Sequence, residues 1–288
     1  MSLPDLLIER GESLQYIIFF ATFLGLVLLE PVVRRRTLPK HQRHRWPANV
    51  ALTLTNVLAL GFVPVSFISA AFWADSASFG LFNQVSLPAW IVIPGTLLIR
   101  GFISTGTHLL NHKVPWLWRI HRVHHLDTEL DVTSTVRFHP LEFMINPFIG
   151  LPVVVLFGLP AWILAGYELL DIAVTLFSHA DIRIGENLNR GLRYLIVTPD
   201  LHRIHHSSWQ PETDSNFGAV FPIWDVVLGT FRGEPRGRHE TMQLGLEEER
   251  EPTSNSYLAM MSSPFRRARR APKDPASPTQ TVRPGGFL

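Results

Sequence analysis

The 288 residues suffice for one sizeable domain or two small ones, and a formal charge of +2 is too small to point to nucleic acid as a partner. The sequence contains no cysteine, which excludes disulfides, iron–sulfur clusters and thiolate metal sites; any transition metal must be held through nitrogen or oxygen. Hydrophobic residues make up an ordinary 46%, but they gather in long blocks before residue 180 and leave the C-terminal stretch polar.

Residues 14–29 carry no charge and end at Glu30-Pro31, followed by Arg34, Arg35, Arg36, Lys40, Arg43 and Arg45. The run is too long for a signal-peptide core and no small-residue cleavage site follows it, so a retained span is expected. Residues 49–74 form a second uncharged run, long enough to cross about 30 Å of hydrocarbon. Residues 87–107 form a third, interrupted by Arg100. Residues 143–177, broken by Pro147, Pro152, Gly158 and Pro160, predict a helical hairpin turning near Gly158-Leu159-Pro160. One such block also suits the buried helix of a soluble protein; four together point to a membrane. The loop at 34–45 is densely cationic, whereas the loop at 75–86 holds Asp75 and no Lys or Arg. That asymmetry puts the first loop in the cytoplasm and the N-terminus outside.

The expected fold is therefore all-α: a polytopic membrane bundle of three spans plus a helical hairpin, under a cytoplasmic, histidine-rich helical cap. The expected division is residues 1–107 for the first three spans, 108–250 for the histidine region with its hairpin, and 251–288 as a disordered basic tail.

Ten of the thirteen histidines fall between His108 and His206. His108 and His112 come directly off the third block. His121, His124 and His125 follow, His139 and His179 flank the hairpin, and His202, His205 and His206 close the series. Residues three or four apart share one helix face, so His108 can reach toward the same point as His112, and His121 toward the same point as His124 or His125. Adjacent histidines are splayed by about 100° around a helix, which suits two neighbouring metals better than one. A structural zinc uses four ligands and a catalytic zinc three plus water; ten imidazoles exceed both and fit two metals with about five each. Imidazole by itself does not name the metal. His41, His44 and His239 read as ordinary surface or satisfied residues.

These residues resemble the fatty acid hydroxylase/sterol desaturase superfamily of membrane di-iron oxidases. The resemblance rests on Val114-Pro-Trp-Leu-Trp-Arg-Ile-His-Arg-Val-His-His125, Arg137-Phe-His-Pro-Leu-Glu142 and Thr198-Pro-Asp-Leu-His-Arg-Ile-His-His-Ser207. Asp214-Ser-Asn-Phe-Gly218 and Trp224-Asp-Val-Val-Leu-Gly-Thr-Phe231 resemble the usual ending. Asp181 departs from the pattern, standing where the family commonly shows Asn, and Arg100 lies unusually deep in its span.

The resemblance implies two iron ions held by His108, His112, His121, His124, His125, His139, His179, His202, His205 and His206. It implies O₂ as co-substrate and oxidation of an unactivated lipid C–H bond, giving hydroxylation or desaturation. No cytochrome b5-like segment lies in this sequence, so electrons are expected from a separate ferredoxin-, rubredoxin- or cytochrome b5-like carrier with its reductase. A bacterial inner membrane is the expected location. Metal-bound histidines usually hand their other N–H to a carboxylate or carbonyl. Glu142, Asp181, Asp200 and Asn216 are the candidates, with Asp127 and Asp131 behind them. The competing readings are a zinc hydrolase-like enzyme and a structural metal-binding membrane protein; the first is disfavoured because no His-Glu-x-x-His occurs.

One further expectation comes from spacing. Arg100 precedes His108 by eight residues and Asp171 precedes His179 by eight, so on straight helices both lie about 12 Å from their histidines, at matching depth. Charges inside a membrane tend to pair, so Arg100 is expected to contact Asp171 or Glu168.

Overall fold

The structure is a computed structural model that describes residues 1–36 and 45–266. His41, His44 and most of the expected basic tail lie outside those residues. The described residues form helices joined by loops, with no strands. Helix α1 (Leu3–Val33) opens with a capping box in which Ser2 and Asp5 satisfy each other's backbone N–H. Helices α2 (Trp46–Leu60), α3 (Phe67–Ser76) and the single turn α4 (Leu81–Gln84) lead to α5 (Ala89–Lys113). The chain then continues through α6 (Pro115–His125), a 3₁₀ turn at Val132–Val136, α7 (Pro140–Phe157) and α8 (Ala161–His179). Short helices follow: α9 (Glu186–Leu192), α10 (Pro199–His205), α11 (Gln210–Thr213), α12 (Ile223–Leu228) and α13 (Tyr257–Ser262).

Helices α1, α5, α7 and α8 are long and apolar enough to cross a membrane. Only 11% of the most apolar window of α1 is buried by the protein itself. Phe20, Leu24 and Leu28 point outward. An apolar surface of that extent needs hydrocarbon around it, and the chain is an integral membrane protein.

The second uncharged block departs from expectation. Residues 49–74 do not form one helix: α2 and α3 are separated by residues 61–66. Pro64 cannot donate to a helical carbonyl and biases Val63 away from helical geometry, and Ser66 caps the new start through Ser69. At 15 residues, α2 is about 22 Å long and does not span the hydrocarbon alone. The two pieces nevertheless connect opposite ends of the bundle. Arg45, at the start of α2, pairs with Asp127 and Asp131 beside the histidines. Asp75, at the end of α3, shares a crevice with Pro4, Gly158 and Pro160.

The hairpin forms as expected. Gly158 ends α7 in the left-handed conformation at φ 61° and α8 starts after Pro160. The turn packs against the backbone of the 77–80 loop so closely that a Cβ on Gly158 would sit 2.9 Å from the Phe79 carbonyl oxygen. Both strain and space therefore require glycine there. Helix α5 runs on past Thr107 without a break, carrying His108 and His112 beyond the expected end of the span. Gly158→Ala is expected to lower stability by about 1–3 kcal/mol, measured by thermal unfolding of the detergent-solubilised protein; an unchanged midpoint would contradict this account of the turn.

Candidate metal centre

Nine of the ten expected histidines converge at one end of the bundle, in two abutting groups. His108, His112, His121, His125 and His205 form one; His124, His179, His202 and His206 form the other. Within each group, one nitrogen from every ring lies within 4.8 Å of all the others. The adjacent pairs divide as their helical geometry demands. His124 and His125 go to different groups, as do His205 and His206. The rings of His125 and His206 stack across the boundary, centroids 4.6 Å apart.

Backbone carbonyls and a carboxylate fix the ring orientations. His108 Nδ1 donates to the Phe217 carbonyl, His179 Nδ1 to the Thr175 carbonyl and His205 Nδ1 to the Ser215 carbonyl, each at 2.8 Å. His121 Nδ1 donates to Glu142 Oε1, also at 2.8 Å. A carbonyl can only accept, so each of those rings carries its proton on Nδ1 and aims the Nε2 lone pair inward. Asp214 approaches His112 Nδ1 at 3.4 Å, leaving His112 Nε2 buried without a protein partner, as is His205 Nε2.

The inward nitrogens are too close to be neighbours by accident. His108 Nε2 lies 3.1 Å from His121 Nε2, which lies 3.3 Å from His125 Nε2. In the other group His179 Nε2 lies 3.1 Å from His124 Nε2 and 2.9 Å from His202 Nε2, which is 3.1 Å from His206 Nε2. Since His108 and His121 both hold their protons on the far nitrogen, their contact sets lone pair against lone pair. That arrangement is repulsive unless a cation lies between them. Nitrogens about 2.0–2.1 Å from one ion are about 2.9 Å apart at right angles and about 3.3 Å apart in a tetrahedron. The observed range matches. Burial in turn pushes the pKa of His124, His125, His202 and His206 well below the ordinary imidazole value, and that of His205 down to about 3. These rings are neutral at pH 7, the state in which imidazole binds a metal. The donor set fits two metal ions, with five and four imidazoles.

His139 stands apart. It caps the start of α7, accepting from the Leu141 N–H through Nδ1, and its Nε2 donates to the Met261 carbonyl. The expectation that it joins the other nine is corrected: Pro140 starts the helix immediately after it, which fixes His139 as the cap. The rest of that segment does serve the site. The Phe138 ring stacks on His124 at 4.3 Å with a 7° tilt, and Glu142 orients His121.

Of the four polar candidates, Glu142 alone touches a histidine of the groups. Asp181 and Asp200 instead hold the buried guanidinium of Arg203, at 3.4 and 2.8 Å. Asp127 and Asp131 hold Arg45. Asn216 acts through the backbone. It adopts φ 52°, donates through Nδ2 to the Leu201 and Arg232 carbonyls and accepts the Arg232 N–H. Its neighbours Ser215 and Phe217 supply the carbonyls that orient His205 and His108. Sequence reasoning missed those carbonyls and Asp214, although all three lie in the Asp214–Gly218 segment already singled out. It also missed Asp225, whose carboxylate takes the N–H groups of Phe217 and Gly218.

A cavity of about 520 Å³ opens from the histidines into the bundle, lined on one side by His108, His121, His124, His179 and His202 and further in by Val57, Phe67, Ile103, Phe143 and Ile172.

Comparison with known proteins gives the class: residues 93–230 match the fatty acid hydroxylase family. The chain is 32% identical to the ornithine lipid hydroxylase OlsE of Rhizobium tropici over 173 residues, 59% of this chain and 49% of that protein. It is 29% identical to cholesterol 25-hydroxylase of Homo sapiens over 43% of this chain and 45% of that one. It is 25% identical to alkylglycerol monooxygenase of Homo sapiens over 44% and 27%. The matched stretch thus spans about half or less of these relatives. No solved structure gives a significant match. Over residues 93–230 the chain is similar to the fatty acid hydroxylase family.

Asn216→Ala is expected to cost about 2 kcal/mol or more, because it removes three hydrogen bonds of a buried side chain and keeps the positive φ. Denaturant unfolding of the metal-free protein measures this; a change within error would mean that the loop is held by something else.

Proposed function

We propose that the protein is a membrane monooxygenase that hydroxylates a lipid, using two irons, O₂ and electrons from a separate carrier. The observation that carries this reading is the pair of abutting, buried imidazole groups beside a largely apolar cavity. Bound there, paired irons would supply O₂ activation and two-electron oxidation of a C–H bond. His108, His112, His121, His125 and His205 would hold one ion, and His124, His179, His202 and His206 the other.

The protein's own residues do the rest. The Val57, Phe67, Ile103, Phe143 and Ile172 side chains take the hydrocarbon body of a substrate out of lipid and keep water from the reacting carbon. Glu142 and the Phe217, Thr175 and Ser215 carbonyls hold protons on the outer ring nitrogens and so keep the inner ones available. The names of the relatives, all hydroxylases or monooxygenases, favour hydroxylation over desaturation. A zinc hydrolase is less well supported, because nine imidazoles in two groups exceed the three protein ligands of a catalytic zinc. The cationic run Arg34–Arg35–Arg36 at the histidine end supports a cytoplasmic site, in keeping with a bacterial inner membrane.

Elemental analysis of the purified protein is expected to find two irons per chain. His205→Ala and His206→Ala, though adjacent, are each expected to lose about one ion, from different groups. Incubation with lipid extract, an electron donor and labelled O₂ should add one labelled oxygen atom to a lipid. A zinc-loaded protein that takes up no O₂ would falsify the proposal. Because the chain has no cysteine, single cysteines at Arg36 and Ser76 report orientation directly. An impermeant thiol reagent added to intact cells should label Ser76→Cys only, and labelling of Arg36→Cys instead would invert the topology.

A further inference from the structure

The cavity beside the histidines is also lined by a charged pair. Arg100 and Asp171 line it together with Ser104. Each precedes a histidine of the site on its own helix by eight residues, so both sit about 12 Å along the bundle from the metal groups. The expected contact between them exists, but it is loose. Arg100 Nη2 lies 4.0 Å from Asp171 Oδ2, whereas Arg203 holds Asp200 at 2.8 Å in the same protein.

Neither partner is saturated. The guanidinium is clamped between the Phe67 and Tyr167 rings, 4.8 Å from each, and donates through Nη1 to Ser104, while its Nε is buried without a partner. Asp171 accepts from Thr175 at 3.3 Å through Oδ1, and its side chain is 28% exposed. Glu168 does not complete the pair; it is taken by Gln15 at 2.7 Å. The result is a cation fixed by aromatic faces and a carboxylate, set slightly too far apart, in the wall of a cavity that Val57, Ile103, Phe143 and Ile172 also line. A charge pair serving only to neutralise itself in a membrane gains by closing to direct contact.

We propose that Arg100 and Asp171 are specificity-determining residues that bind a hydroxyl group of the lipid substrate. A hydroxyl accepts from the guanidinium and donates to the carboxylate at once, which the 4.0 Å separation accommodates. A carboxylate on the substrate would meet Asp171, and an ammonium would meet Arg100, so the pair selects a neutral donor–acceptor. The pair thereby sets the register, placing at the histidines a carbon about 12 Å from that hydroxyl, the reach of a chain on the order of ten carbons. The inference rests on the lipid-oxidation reading for its consequence, but its binding step does not require turnover.

The test uses the full-length protein in lipid nanodiscs, with tritiated 1-dodecanol as probe and dodecyl methyl ether as competitor, since the ether accepts a hydrogen bond but cannot donate one to Asp171. Wild-type protein is expected to prefer the alcohol by about tenfold. The double variant Arg100→Gln/Asp171→Asn removes both charges together, so neither is stranded in the membrane; it is expected to bind alcohol and ether alike. In turnover, wild-type protein should oxidise dodecanol near its far end, and the double variant should scatter the position. Equal affinity of the wild type for alcohol and ether overturns the inference without any variant, and so does a preference that survives in the double variant. If the preference is present but no lipid is oxidised, the hydroxyl site stands and the oxygenase reading fails.

Discussion

Imidazole lone pairs that face one another at about 3 Å repel, and the Nε2 atoms of His108 and His121, each with its proton held on Nδ1, face one another at 3.1 Å. Everything around the site resists that repulsion. His108, His179 and His205 are held by backbone carbonyls, so turning a ring outward would break a hydrogen bond and bury an unpaired N–H. The carbonyls in turn belong to elements that are themselves pinned. Thr175 lies within α8, and Ser215 and Phe217 flank Asn216, whose side chain ties their loop to Leu201 and Arg232. A metal ion bound there would convert this repulsion into coordination, with the geometry supplied by the protein in advance.

The same economy explains the buried ions beside the histidines. Arg45, Arg137 and Arg203 are each almost fully buried, an expensive place for a charge. Arg203 bridges Asp181, just after α8, to Asp200 on α10, and so locks together the two helices that carry His179 and His202. Arg45 links the start of α2 to Asp127 and Asp131, just after α6. Burial alone would raise the Asp127 carboxyl, but Arg45 and Arg137 outweigh it and hold it below the ordinary carboxylate range. The departure of Asp181 from the family's usual Asn makes sense in this setting, since a carboxylate there answers Arg203.

Much of this was legible in the residues. The His-x-x-His-His spacing foretold that adjacent rings would point into different groups, because that follows from 100° per residue and nothing else. The hairpin was legible because Gly158 and Pro160 punctuate an apolar run. Other features were hidden for definable reasons. A carbonyl oxygen belongs to every residue, so no side-chain pattern marks Ser215 or Phe217 as partners of His205 and His108. Hydropathy averages over a window and does not report helix continuity, so residues 49–74 read as one span although Pro64 divides them. His139 sits among the right neighbours in sequence, yet the helix start imposed by Pro140 turns its ring toward Met261.

Arg100 shows how far depth arguments carry. Its pairing with Asp171 followed from two equal intervals of eight residues, without knowledge of the packing. The structure adds that all four residues line one cavity, so the helices that carry His108 and His179 also place the charged pair in its wall. A helix is a ruler with a rise of about 1.5 Å per residue. Two helices ruled alike fix a distance more rigidly than any loop. If the site oxidises lipid C–H bonds as proposed, that fixed distance would choose among the many equivalent carbons of a lipid chain.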